Sequence, residues 1–341
     1  MSVEQITLKD IAKRLNVSPS TVSRALKDNP EIGESTRKAI QKLAEELNYQ
    51  PNAVALSLRK RKTFTIGVVV PEIVHYFFSS VISGIEDEAF SNNYQVVLCQ
   101  SSEKYEHEVR NLKTLAQSQV DGILISHSKE TRDFEHIWEL RDKGVPVVFY
   151  DRTVPNVDLA HVAVDDVEGA FQATNHLIEV GCKNIVHMYG PLHIDIHEAR
   201  FEGYKKVLKK HGMPLKDELV VAADNFQMGQ TAIDQLVAKK TEFDGLFAVN
   251  DMTAVGAMKA LKRAGIRIPE DVAVVGFGDD SALSEMVDPA LSSVYQPGFD
   301  MGRKAARLLM QIIDDKNGTD PQKIQLKTEL HIRESSTRDA R

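Results

Sequence analysis

Apolar residues recur at helical spacing three times within the first fifty residues, and the pattern changes character from residue 65 onward. Leu8, Ile11, Ala12 and Leu15 fall on one face of a short helix. Thr7 stands where an N-cap hydroxyl belongs, and Asp10 is an acidic residue in the first turn. Asn16 and Val17 make a turn. Ser18 is the next cap, and Pro19 takes the first helical position, where its missing N–H costs nothing. Val22, Ala25 and Leu26 then face inward, which leaves Ser20, Thr21, Ser23 and Arg24 on a polar side. A third amphipathic helix carries Ile40, Leu43, Ala44 and Leu47. This is the pattern of a helix-turn-helix that reads DNA, with groove and phosphate contacts supplied from the polar side of the second helix.

From Thr65 short β-branched runs alternate with amphipathic helices, the rhythm of parallel sheets. Strands are predicted at 65–71, 95–99, 122–125, 145–150, 185–188, 219–222, 245–249 and 272–276. Phe78, Val81, Ile82, Ile85 and Ala89 share one helical face, as do Ala254, Met258 and Leu261. So many strands are more than a single sheet usually holds, and Pro155, Asn156 and Asp158 mark a break over 151–165, so two sheets are expected. The fold class is α/β: a helix-turn-helix head followed by two lobes built on parallel sheets. Ligands of such sheets bind beyond the carboxyl ends of the strands. Asp151, Asn250 with Asp251, and Asp279 with Asp280 occupy those ends, and Arg200 lies in a helical stretch nearby.

Charge divides unevenly along the chain. The whole chain has a formal charge of −7, yet residues 1–62 hold twelve Lys and Arg against seven Asp and Glu, and the rest hold thirty against forty-two. A basic head can neutralise phosphates while an acidic body is repelled by the duplex. Arg59 to Lys62 extend the basic head as candidate phosphate contacts. No long apolar run or apolar leader is present, and Cys99 and Cys182 stand alone, so a reducing, cytoplasmic location is expected, with no membrane contact. The chain has no phosphate-binding glycine loop, dinucleotide turn or serine elbow, which disfavours an enzyme. His193 and His197 would share a helical face, but a further ligand set is lacking and Arg200 would oppose a cation. Neither a metal nor a cofactor is expected.

Thr21-Val22-Ser23-Arg24, Thr36-Arg37 and Tyr49-Gln50-Pro51-Asn52 together resemble the LacI/GalR family of bacterial transcription regulators, in order and in spacing. Ile66-Gly67-Val68, Val249-Asn250-Asp251, Val274-Val275-Gly276-Phe277 and Gln296-Pro297 extend the resemblance over essentially the whole chain. The resemblance implies a DNA-binding head at 1–50, a hinge helix and linker at 51–63, and a two-lobed, periplasmic-binding-protein-like effector and dimerisation domain at 64–341. It also implies three crossovers between the lobes, with part of 297–325 returning to the first. The implied function is repression at a pseudo-palindromic double-stranded DNA operator, controlled by a small effector such as a sugar. An activating or effector-independent regulator is the alternative, and a transport binding protein would not carry the head.

By the same resemblance, Pro19 and Ser20 hold variable positions of the recognition helix, and Arg24 a base-reading one. Thr7, Ser18, Thr21, Ser23, Asn29 and Tyr49 are further DNA contacts. In the hinge, Asn52, Ala55, Leu58 and Arg59 reach the minor groove, where Leu58 would pry open the central base step at a cost of a few kcal/mol. Gly33 departs from a common serine and removes one side-chain contact. Effector contacts are implied for Asp151, Arg200, Asn250 and Gln296, with Phe77, Phe78 and Phe226 lining the pocket. Gly276-Phe277-Gly278-Asp279 departs from the family's Gly-Tyr/Phe-Asp-Asp/Asn: either Asp279 substitutes for the missing aspartate or this effector lacks that contact. The tail after Arg333 has no leucine heptads, so a homodimer is expected rather than a coiled-coil tetramer.

Overall fold

A computed structural model describes residues 6–49, 62–154, 159–279, 281–315 and 321–338. The chain divides into two compact units, Met1–Phe64 and Thr65–Arg341.

In the first unit, α1 (Leu8–Leu15), α2 (Pro19–Ala25) and α3 (Glu34–Glu46) enclose a small core in which Ile11, Val22, Ala25 and Ile40 are fully buried. The Asp10 carboxylate accepts from both the Thr7 amide (2.8 Å) and its hydroxyl (2.6 Å), which fixes the start of α1. Asn16, at φ 52°, reverses the chain, and Ser18 opens α2 by accepting from the Thr21 amide at 3.1 Å. Gly33 caps α3 without a side-chain bond.

The second unit holds two six-stranded sheets. The first runs β11-β5-β4-β3-β1-β2, with β1 Thr65–Val70, β2 Gln95–Gln100, β3 Gly122–Ile125, β4 Val147–Tyr150, β5 His161–Val164 and β11 Lys323–Leu326, all parallel. The second runs β12-β10-β9-β8-β6-β7, with β6 Ile185–Tyr189, β7 Val220–Ala222, β8 Gly245–Ala248, β9 Ala273–Gly278 and β10 Ser292–Tyr295 parallel. Its edge strand β12, Glu329–His331, is antiparallel to β10. The helices are α4 (Tyr76–Ser91), α5 (Tyr105–Gln117), α6 (Glu135–Asp142), α7 (Asp166–Glu179), α8 (Asp195–Lys210), α9 (Phe226–Ala238), α10 (Asp251–Arg263), α11 (Ser281–Met286) and α12 (Gly298–Asp314).

The chain leaves the first lobe after β5, because α7 packs on α8 and β9. It returns with α12, which packs on α4, β3 and β4, and leaves again between β11 and β12. These are the three expected crossovers, with the stretch after residue 297 back in the first lobe. Two glycines make the return tight: a Cβ on Gly302 would lie 2.0 Å from the Val81 carbonyl, and one on Gly84 2.0 Å from the Phe299 carbonyl. The eight predicted strands form, with ends shifted by up to two residues. Strands β5, β10, β11 and β12 were not legible: β5 falls inside the run read as a break. Each has three or four residues and a polar or half-exposed face, and takes its place by pairing with a strand distant in sequence or across a break. Among the described residues no helix is long and apolar enough to cross a membrane.

Candidate functional site

The head presents the first turn of α2. Ser18, Pro19 and Ser20 are exposed, Thr21 and Ser23 half-buried, and Arg24 extends outward beside Glu31 at 3.2 Å. The Ser18 hydroxyl lies 2.7 Å from that of Ser20 and 2.9 Å from that of Thr21. Hydroxyls at the start of α2 and a guanidinium in its last turn suit phosphate and base edges alike. Asn29 accepts from the Glu31 amide at 2.9 Å and so also shapes the turn after α2. Tyr49 packs against the head core, and burial raises the pKa of its phenol. Asn52, Ala55, Leu58, Arg59 and Lys60 lie outside the described residues.

In the second unit the carboxyl ends of both sheets meet at a cleft, and side chains from the two lobes bond across it. Thr153, after β4, donates its amide (2.8 Å) and hydroxyl (2.5 Å) to Asp195 at the start of α8. Lys129, after β3, pairs with Asp224 after β7 at 2.8 Å, and its carbonyl meets His193 Nε2 at 2.7 Å. Behind these contacts lie two ion pairs, each with a buried guanidinium. Arg152 forks onto Glu103 (2.9 and 2.8 Å) and donates to the His127 carbonyl at 2.7 Å. Arg200 grips Asp166 and donates to the Val249 carbonyl at 2.6 Å, with its guanidinium 3.7 Å above the Phe277 ring.

Burial dominates the electrostatics. It lifts the Asp151 carboxyl to about 6 against the pull of Arg152 and Arg200. It also raises Asp166, opposed by Arg200. His127 and His197 are pushed down by burial and by the neighbouring guanidiniums, so both imidazoles are held neutral.

Asp151 sits at the cleft at φ 63°, 4% exposed. Gln296, on the crossover into α12, is buried with its Nε2 unpartnered. Phe226 begins α9 and is half-buried. Phe77 is half-buried and meets Phe78 edge-on at 5.3 Å, while Phe78 turns into the lobe core. Asn250 is a helix cap: its carbonyl oxygen accepts from the Thr253 amide and hydroxyl, both at 2.9 Å, and its amide donates to the Asp224 carbonyl at 2.8 Å.

Asp279, the residue beside the missing aspartate, is already engaged by protein partners. Its two oxygens accept from His331 Nδ1 and Arg333 Nη1, each at 2.7 Å, which ties it to the end of β12. Gly278 has φ 134°, a conformation that disfavours any side chain, and a Cβ there would lie 3.4 Å from Asp251 Oδ2. His193 and His197 diverge: His197 Nδ1 meets the Pro191 carbonyl at 3.2 Å, and no metal-holding cluster occurs among the described residues. Glu103, Lys129, Arg152, Asp166 and Asp224 escaped the sequence reading. Several of them follow strands directly, which was the available signal, but their partners come from other strands.

Residues 63–334 match the family model described as periplasmic binding proteins and sugar binding domain of LacI family, and residues 7–52 that of bacterial regulatory proteins, lacI family. The chain is 34% identical over 333 residues to catabolite control protein A of Priestia megaterium, covering 97% of this chain and 99% of that one. It is 36% identical over 331 residues to the ribose operon repressor of Halalkalibacterium halodurans, covering 97% of each. Among solved structures, the transcriptional regulator CelR–cellobiose complex shares 32% identity at a TM-score of 0.75, over 97% of this chain and 100% of that chain. The lac repressor dimer bound to operator and an anti-inducer superposes at a TM-score of 0.85 with 23% identity, over 98% and 99%, which shows a common fold.

Proposed function

This chain belongs to the LacI family of bacterial regulatory proteins, and from that premise we propose how it acts: as a homodimer that represses at a pseudo-palindromic DNA operator under control of a small effector in the cleft. It is a DNA-binding transcriptional regulator and not an enzyme, as its named relatives are repressors and regulators. The observation that carries the proposal is the capped, outward-facing side of α2, with Ser18, Pro19 and Ser20 exposed at its start and Arg24 exposed in its last turn above a closed core.

Ser20, Thr21 and Arg24 read base edges, while Thr7, Ser18, Ser23 and Asn29 set register on phosphates. Pro19 offers apolar contact only, Tyr49 braces the head, and Asn52, Ala55, Leu58 and Arg59 serve the minor groove. Such a head reads few base pairs, so two copies on a two-fold operator supply the affinity. DNA binding places the chain in the cytoplasm.

In the cleft, Asp151, Gln296, Phe77 and Phe226 face the effector, with Arg200 and Asn250 positioning their neighbours. A ligand held between Asp151 and Asp195 favours one lobe angle and thereby one of two DNA affinities. A 100-fold change in operator affinity requires about 2.7 kcal/mol of coupling, and DNA then changes effector affinity by the same factor. Selection from a randomised duplex library tests the reading: one enriched pseudo-palindrome is expected, and uniform weak binding to all sequences would remove it.

A further inference from the structure

Resting on the reading that the lobe angle governs DNA affinity, we infer that Glu108 is a positioning residue for regulation: through the loop after β3 it places Lys129 for the contact between the lobes, and so biases their angle. Glu108 lies in α5 and is fully buried, and its hydrogen bonds stay within the first lobe. Its carboxylate accepts from the Ser128 amide at 2.5 Å and the Thr131 hydroxyl at 3.0 Å, both in that loop, and from His136 Nε2 in the first turn of α6 at 2.8 Å. Burying a carboxylate is costly unless donors surround it, and two of the three donors here belong to the loop. The Ser128 and Thr131 hydroxyls lie 2.8 Å apart, and the Thr131 amide donates to the Ser128 carbonyl at 3.1 Å, so the turn between them closes over the same carboxylate.

Lys129 stands inside that turn and engages both lobes. Its amide donates to Glu103 at 2.7 Å within the first lobe, while its carbonyl accepts from His193 Nε2 at 2.7 Å and its ammonium pairs with Asp224 at 2.8 Å, both in the second. Glu130, the next residue, accepts from the Tyr105 amide at 3.2 Å and pairs with Lys104. The turn is thus stitched to the start of α5 and the loop before it by three carboxylates. Glu103 divides its oxygens between Lys129 and Arg152, whereas Glu108 gives two of its three bonds to the turn. A contact that spans two lobes favours the angle at which it forms, and it can do so only while its own geometry is held. Without the Glu108 carboxylate the Ser128 amide and Thr131 hydroxyl lose a buried acceptor, and the turn must rearrange to replace it. Glu108 therefore acts on the lobe angle through Lys129, without touching the second lobe.

The test measures the affinity of the full-length chain for the operator enriched from the duplex library, with no effector added. Lys129→Met and Asp224→Asn change net charge in opposite directions but break the same pair, so both should shift operator affinity the same way, by about threefold or more. Glu108→Gln should shift it that way too. Added to Lys129→Met it should change nothing further, whereas a general loss of stability would add in either background. Thr131→Val, a milder loss of one loop donor, should follow with a smaller shift and an unchanged melting temperature, and it carries the test if Glu108→Gln does not fold. Hydrogen exchange should rise at 222–226 of the second lobe in Glu108→Gln while β9 stays protected. Unchanged operator affinity in Glu108→Gln or Thr131→Val beside a shifted Lys129→Met, full additivity with Lys129→Met, unchanged exchange at 222–226, or opposite shifts in Lys129→Met and Asp224→Asn would each overturn the inference and leave the regulator standing. Should Lys129→Met and Asp224→Asn alter neither exchange nor operator affinity, the contact carries no bias and the inference falls with it. If they raise exchange at 222–226 yet leave operator affinity unchanged, the lobe-angle reading itself fails.

Discussion

Arg200 holds Asp166 through Nε at 2.8 Å and Nη2 at 2.7 Å, and both side chains are about 95% buried. Arg200 lies in the middle of α8 and Asp166 at the start of α7, so the pair fastens the two helices beside the cleft. Its third bond, to the Val249 carbonyl, reaches the end of β8.

A substitution at Arg200 therefore tests more than effector contact. Arg200→Ala strands Asp166 in the interior and is expected to cost about 3–5 kcal/mol of stability. Replacing both partners with apolar residues of similar volume should recover most of that loss. Urea unfolding of the single and double variants measures the difference. Equal losses in both would mean that packing, not the stranded carboxylate, sets the cost.

Ser18 has two separable duties. Ser18→Ala removes the α2 cap and should destabilise the head by about 1 kcal/mol. Ser18→Asp retains the cap but places a carboxylate against DNA phosphate, so it should keep the melting temperature and still weaken operator binding. Thermal melting alongside gel-shift titration distinguishes the two, and full DNA affinity in Ser18→Asp would remove Ser18 from the interface.

Arg24→Ala should cost about 1–3 kcal/mol of operator affinity and relax preference at one base pair. Its partner Glu31 is exposed, so no buried charge is left behind and stability should hardly change. Repeating the duplex selection with the variant gives the answer: uniform weakening at every sequence would place Arg24 on phosphate.

His187 sets a pH dependence of definite sign. It is fully buried between Phe201, Tyr204 and Phe247, with ring centroids 4.9–5.7 Å away, and burial pushes its pKa down to about 3. The unfolded chain takes up a proton near pH 6.5 that the folded one refuses, so this stability is complete above that pH. It is lost on acidification at about 1.4 kcal/mol per pH unit. Asp151, raised to about 6, works oppositely, as its contribution falls while pH rises from about 4 to 6. His187→Phe isolates the histidine. The slope of unfolding free energy between pH 6 and 4 should change by nearly one proton, and an unchanged slope would mean that His187 titrates normally in the fold.

The sequence alone determined the head, because its signals are local. A cap at Ser18, the turn at Asn16 and apolar residues at helical spacing act within a few residues of one another, and the structure follows them closely. The eight predicted strands and the strand-end position of Asp151 were legible for the same reason, since β-branched runs and strand-terminal polar residues are properties of a short window. Tertiary structure decided the rest. Four short strands took form on edges made elsewhere, and the lobe contact joins Thr153 to a residue 42 positions away. Glu103 meets Arg152 across 49 positions, and Asp279 is claimed by His331 and Arg333 across 52 and 54. Residue type states how many hydrogen bonds a side chain can make, but only the meeting of distant strand ends states how many are already spent. That remainder, acceptors at Asp195 and His127 with donors at Arg152 and Gln296 among it, is decided only in the folded chain.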